Sequence, residues 1–195
     1  MSRSRTILCL TLLAAGLTAC TAQVSGPATQ EADKAAAAPA AEAAATSEAD
    51  AVVAANLKRF DQLDFDAYSN RKDMDLFRKL HCPDVKVVLP DGRETVGIDA
   101  HVDDINNIFF NGTTDSRITS HPIAFGQGEW TAAKGIIEAT FKEPMKMPDG
   151  TSIPPTGKAV KMGMVTMARW TNGCIAEEHL FFDNAEYMRQ LGLGK

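Results

Sequence analysis

The chain has 195 residues, of which 20 are Lys or Arg and 25 are Asp or Glu, for a net charge of −5. An acidic chain without a basic cluster is a poor partner for nucleic acid or anionic lipid headgroups, both of which are held through concentrated Lys and Arg. The length allows one ordinary domain plus additional segments.

The first segment reads as an export signal. Arg3 and Arg5 precede the apolar run TILCLTLLAAGL, which is shorter than the about 20 residues that a bilayer span requires. It ends in LTAC, Leu17 to Cys20, which resembles the bacterial lipobox, whose cysteine is lipidated and becomes the first mature residue. Residues 1–19 are therefore expected to be removed and Cys20 to carry the lipid. That removal takes Arg3 and Arg5 and no acid, so 18 basic residues face 25 acidic ones, a net charge of −7. Thr21 is not the aspartate associated with inner-membrane retention, which favours the periplasmic side of the outer membrane, a cell-envelope location. From Thr21 onward the chain is Ala-rich, with KAAAAPAAEAAA at its centre, Pro39 interrupting it and no aromatic residue. It has no apolar stripe to bury, so residues 20–50 read as a lipidated cysteine and a solvated tether. Residues 51–195 make the folded domain.

Within that domain, NLKRFDQLDFDAYSNRKDMDLFRKL places Leu57, Phe60, Leu63 and then Leu76, Phe77, Leu80 at helical spacing. CPDVKVVLPDG is a strand closed by a Pro-Asp-Gly turn. GIDAHVDDINNIFF is a helix with Ile98, Val102, Ile105, Ile108 and Phe109 on one side, and His101 falls within that apolar arc. Strands follow. RITSHPIAFG alternates, with Thr119, His121, Ile123 and Phe125 on one face. WTAAKGIIEATFKEPM is a long strand leading into a turn-rich loop. KAVKMGMVTMARW and CIAEEHLFFD are joined by Thr171–Gly173, whose Asn-Gly is a hairpin signal. NAEYMRQLGL closes the chain as a helix. Helices first and long antiparallel strands afterwards predict an α+β architecture, helices lying on one face of a curved sheet.

The stretches PDG…IPPTGK, EEHLFFDN and MRQLGL, together with the upstream FDAYSNRKDMDLFRKLHCPDVKVVLPDG and GIDAH, resemble the SnoaL-like polyketide cyclase (ester cyclase) family of the nuclear-transport-factor-2-like superfamily. The resemblance covers the domain and neither the tether nor the signal. It implies a cone-like antiparallel sheet around a central pocket closed by helices. It also implies intramolecular aldol chemistry by an acidic general acid/base, with no metal and no organic cofactor.

The family pattern places an acid at Asp183, and Glu177, His179 and Phe181 share its strand parity. Asp183 is thus the expected catalytic acid with His179 beside it; helix N-capping is the competing role, since Asp183 stands just before the last helix. His101, His121, Phe125, Met164 and Phe181 are the expected substrate contacts. Met162, Met167, Trp130 and Trp170 read as ordinary core, and Tyr68 stands at a helix end. Glu177 and Glu178 point to opposite faces, so at most one enters the cavity. Cys82 and Cys174 are the cysteines left in the mature chain, and whether they pair is open. The four histidines are scattered and no CxxC occurs, so no zinc-type spacing is seen. Two functions follow: a cofactor-free lyase, isomerase or hydrolase acting on a small apolar carbonyl compound, or a non-catalytic small-molecule binder or homodimeric interaction module. Convergent acid and histidine groups in a closed pocket favour the first. Export argues against polyketide biosynthesis as such.

Overall fold

The computed structural model describes residues 48–194. The expected signal, Cys20 and nearly all of the expected tether lie outside them. Among the described residues no helix is long and apolar enough to cross a membrane.

The first helix, α1 (residues 48–61), starts just ahead of position 51 and runs directly into a π-helical segment, Gln62–Tyr68. Phe60, Leu63 and Ala67 recur at helical spacing and are buried. The π segment adds Asp64 and Tyr68 to the same buried side. A short 3₁₀ turn, Ser69–Arg71, leads to α2 (Met74–Leu80), capped by Asp73, whose carboxylate accepts from Leu76 N–H at 2.8 Å. The third helix, α3 (Ile98–Ile105), again passes into a π segment, Asn106–Phe110. The last helix, α4 (Asn184–Leu191), stops at Gly192, whose φ of 81° is the left-handed cap that glycine adopts without strain.

Nine strands complete the domain: β1 (His81–Val88), β2 (Glu94–Val96), β3 (Arg117–Ile118), β4 (Ile123–Gln127), β5 (Trp130–Thr140), β6 (Met145–Lys146), β7 (Ser152–Ile153), β8 (Ala159–Thr171) and β9 (Cys174–Phe181). Seven of them form one sheet in the order β2-β1-β9-β8-β5-β3, with β4 also paired to β5; β6 and β7 make a separate hairpin. All pairings are antiparallel except β1 beside β9. The stretch RITSHPIAFG is two short strands rather than one: Thr119 and Ser120 still bond to Ile136 of β5, but Thr119–Pro122 interrupt the regular pairing. At the β8–β9 turn Asn172 and Gly173 both have positive φ, 50° and 83°, as a two-residue hairpin loop requires.

Alternation sorts the long strands into two faces. On β8 the even residues Val160, Met162, Met164, Thr166, Ala168 and Trp170 are buried against the helices, and on β5 the odd ones are. Strand β9 changes phase. Trp170 pairs with Ile175 but Arg169 pairs with Glu177, so Ala176 is an extra residue and the strand carries a β-bulge there. Ile175 is buried before the bulge, and Glu178 and Leu180 are buried after it. The parallel neighbours β1 and β9 are also cross-linked. Cys82 and Cys174 form a disulfide with their Cα atoms 5.1 Å apart, which answers the question the sequence leaves open.

Candidate functional site

Between the helices and the inner face of the sheet lies a closed cavity. It is lined by Leu63, Asp64 and Tyr68 of the first π segment, Phe77 of α2, His101, Ile105 and Phe109 of the third helix, Ile118, and Met164, Thr166, Glu178 and Leu180 of the sheet. Its volume, about 20 Å³, is room for roughly one water molecule. Anything larger must displace side chains such as Phe109 or Met164. A much larger depression lies elsewhere, an open groove of about 890 Å³ with Arg71, Arg93, Asp104, Asn107, Asn111 and Lys146 among its lining. Its size reflects exposure to solvent, and it contains no buried acid–base pair.

Two polar groupings meet the cavity. In the first, His121 Nε2 lies 2.7 Å from Asp64 Oδ2 and His121 Nδ1 lies 2.8 Å from Asp61 Oδ1. Asp61 is open to solvent whereas the His121 and Asp64 side chains are largely covered, so a chain of hydrogen bonds connects bulk water with the cavity wall. Phe60 and Phe65 pack on the imidazole. Burial pushes the Asp64 carboxyl above the usual carboxylate range; the hydrogen bond and charge of His121 offset part of this, and the charge of Glu178 adds to it. Burial works against a charged His121, but the hydrogen bonds and charges of Asp64 and Asp61 outweigh it and raise its pKa.

The second grouping is His81, His101 and Glu178, all buried. Glu178 Oε2 is 3.0 Å from His101 Nε2 and 3.6 Å from His81 Nε2. The other ring nitrogen of His81, Nδ1, is 2.8 Å from the Phe77 carbonyl oxygen and donates to it. Burial alone would raise the Glu178 carboxyl, yet His101 and His81 together hold it well below its usual range. Tyr68 also faces the cavity, but its hydroxyl is engaged 2.8 Å from Ser116 Oγ, and burial pushes the phenol above its ordinary value.

Residues 60–191 match the sequence model of the SnoaL-like polyketide cyclases. The chain belongs to that family. Solved structures agree at the level of fold. A proposed SnoaL-like polyketide cyclase from Jannaschia sp. CCS1 superposes with a TM-score of 0.63 at 15% identity, over 73% of this chain and 95% of its own. IdmH from Streptomyces antibioticus, a proposed polyketide cyclase, gives 0.58 at 22%, over 70% and 98%. An NTF2-like protein of unknown function from Burkholderia pseudomallei K96243 gives 0.56 at 19%, over 70% and 97%. No curated protein matches the sequence.

In this SnoaL-like domain the expected site residues divide between two faces. His101 and Met164 line the cavity, and His121 reaches it through Asp64. Asp183 does not. It is exposed and caps α4, accepting from Glu186 N–H at 2.9 Å, so the competing structural role is the one its geometry supports. His179 lies on the outer face, 3.0 Å from Glu177, stacked beside Phe181. Phe125 and Phe181 are 64% and 51% exposed there, away from any interior ligand. The physical reason is the bulge at Ala176, which turns Glu177, His179 and Phe181 outward and Glu178 inward. Asp64, His81 and Glu178 are interior titratable residues that the sequence reading does not single out as site members. Parity on β9 admits either glutamate. Asp64 lies four residues after Phe60, in the buried arc with Leu63 and Ala67, so helical spacing is the signal that could have found it.

Proposed function

We propose that the cavity performs general acid/base chemistry on a small carbonyl compound, with Asp64 and His121 as the proton-transfer pair. The observation that supports this reading is the 2.7 Å contact between a cavity-lining carboxyl and an imidazole that leads on to solvent-exposed Asp61. Asp64 takes a proton from carbon next to a carbonyl, and His121 with Asp61 exchanges it with water. A binding protein for a bulky apolar ligand would offer a preformed space of about 300–1,000 Å³ with few convergent polar groups. This cavity is far smaller and has two acid–histidine groupings. An isomerase, lyase or cyclase step on a compact substrate, admitted by side-chain movement, fits better. Asp183 and His179 have no part in it.

We further propose that the domain works outside the cytoplasm, tethered by a lipid on Cys20. The LTAC seam and the Ala-rich segment behind it support this. Cys20→Ser should abolish lipid mass and membrane fractionation; a mature N-terminus elsewhere, without lipid, overturns it.

The chemistry can be tested before the substrate is known. Small cyclic ketones and 1,3-diketones are incubated in D₂O with the protein, and loss of the α-proton signal is followed by NMR. Wild type should accelerate exchange and Asp64→Asn should reduce the acceleration by about 100- to 10,000-fold. Unchanged exchange in Asp64→Asn removes that carboxyl from the reaction.

A further inference from the structure

The grouping His81, His101 and Glu178 has a geometry that an ion pair does not explain. Its three potential ligand atoms lie within 4.8 Å of one another, all buried. Glu178 Oε2 is close to both imidazoles, yet neither contact has hydrogen-bond alignment, and His81 Nε2 and Glu178 Oε2 are both left without a hydrogen-bond partner. Burying such atoms unpaired is costly, and more so when they are charged. Two of the three converging atoms thus lack a hydrogen bond in a place that water does not reach.

We propose that His81, His101 and Glu178 form a binding site for a divalent transition-metal ion, with Zn²⁺ as its natural probe. Nitrogen and oxygen ligands about 2.0–2.1 Å from a tetrahedral ion stand roughly 3.3 Å apart. The contacts of 3.0 and 3.6 Å about Glu178 Oε2 bracket that spacing. His81 Nδ1–H donates to the Phe77 carbonyl, which fixes the tautomer that leaves Nε2 free to ligate, the usual outer-shell arrangement for a metal-binding histidine. His101 and Glu178 also line the water-sized cavity. Three protein ligands with room for one water is the pattern of an open, Lewis-acidic site rather than a closed structural one. The ligands come from the start of β1, from α3 and from β9, which is why no metal spacing occurs in the sequence. The site is independent of the Asp64–His121 reading, and either can fail alone.

The test is metal binding itself. The purified protein, disulfide intact, is freed of metal with chelator and exposed to Zn²⁺ or Co²⁺, both by incubation and during refolding, since the ligands are enclosed. The expected result is one ion per chain by elemental analysis, a raised melting temperature and a Co²⁺ visible band of low-coordinate character. Glu178→Gln and His101→Gln, checked for folding by circular dichroism, should each weaken Zn²⁺ binding roughly 100-fold or more. His179→Gln, at a partly buried imidazole on the outer face, should leave it unchanged. Failure of wild type to take up either ion by either route overturns the proposal, because Co²⁺ binds a given nitrogen–oxygen site more tightly than Fe²⁺ or Mn²⁺. Uptake that survives both Glu178→Gln and His101→Gln overturns it as well, by locating the ion elsewhere.

Discussion

His121 joins two aspartates of unlike exposure: its Nε2 is 2.7 Å from largely covered Asp64 and its Nδ1 is 2.8 Å from open Asp61. Both ring nitrogens are therefore engaged with carboxylates, an arrangement that suits a doubly protonated imidazolium.

The first prediction follows from that pairing. The folded His121 pKa is raised above its ordinary value of 6.5, so the folded chain retains a proton that the unfolded chain releases. This contribution to stability is fully present below 6.5 and is lost as the pH rises through the raised folded value. Melting temperature, measured by circular dichroism from about pH 6 to pH 9, should fall across that window in wild type. His121→Gln should flatten the slope. An identical slope in the variant means that His121 does not carry it.

Asp183 gives a prediction of the opposite kind. As the N-cap of α4 it holds Glu186 N–H, so Asp183→Ala should cost about 0.5–2 kcal/mol in chemical denaturation. Asp183→Asn should cost little, since Asn caps nearly as well. Neither should alter α-proton exchange. Loss of exchange in a stably folded Asp183→Asn would restore the catalytic role.

The disulfide makes a third. Cys82 and Cys174 are 92 positions apart, and closing a loop of that length restricts the unfolded chain by roughly 4–5 kcal/mol on the chain-entropy account. Replacing both with serine should lower the denaturation midpoint markedly, and reductant should do the same to wild type and nothing to the variant. A midpoint insensitive to reductant would mean the cross-link adds no stability.

The outer face supplies the fourth. Phe125, Ala132, Met167 and His179 lie on one rung across β4, β5, β8 and β9, and Ile123 and Phe181 flank them on the next. Ile123, Phe125, Met167 and Phe181 are all exposed, an apolar cluster of the kind that marks an interaction surface. If a second copy covers it, sedimentation velocity should detect a dimer in wild type and a monomer in Phe125→Lys. A wild-type monomer at all concentrations removes that role.

Much of this architecture is legible in the residues. Helical spacing marks the first helices and α3, Asn172-Gly173 marks the β8–β9 hairpin, and the place of His101 in the apolar arc correctly anticipates an inward histidine. What is not legible is phase. Alternation alone cannot tell which of Glu177 and Glu178 faces inward when one extra residue precedes them. Asp64 is legible, since it falls in the same helical arc as Phe60, Leu63 and Ala67, but a lone aspartate on that arc carries no sign of the histidine it meets. Contacts between distant segments escape for another reason. His81, His101 and Glu178, like Cys82 and Cys174, become neighbours only through the parallel placement of β1 beside β9 and the packing of α3 over β1.

The bulge at Ala176 gives β9 something like two reading frames. In the frame observed, Ala168 and Thr166 stand opposite Glu178 and Leu180. Were the same residues paired without the bulge, Ala176 would stand opposite Arg169 and the same partners would meet Glu177 and His179, while Glu178 and Leu180 would pass to solvent. The strand thus encodes two interiors, one with a lone carboxylate among histidines from other elements and one with its own acid and imidazole. Whether Ala176 stays out of the ladder, with no change of side chain, decides which of them the cavity receives. A strand with these same letters paired without the bulge would therefore hold different chemistry inside.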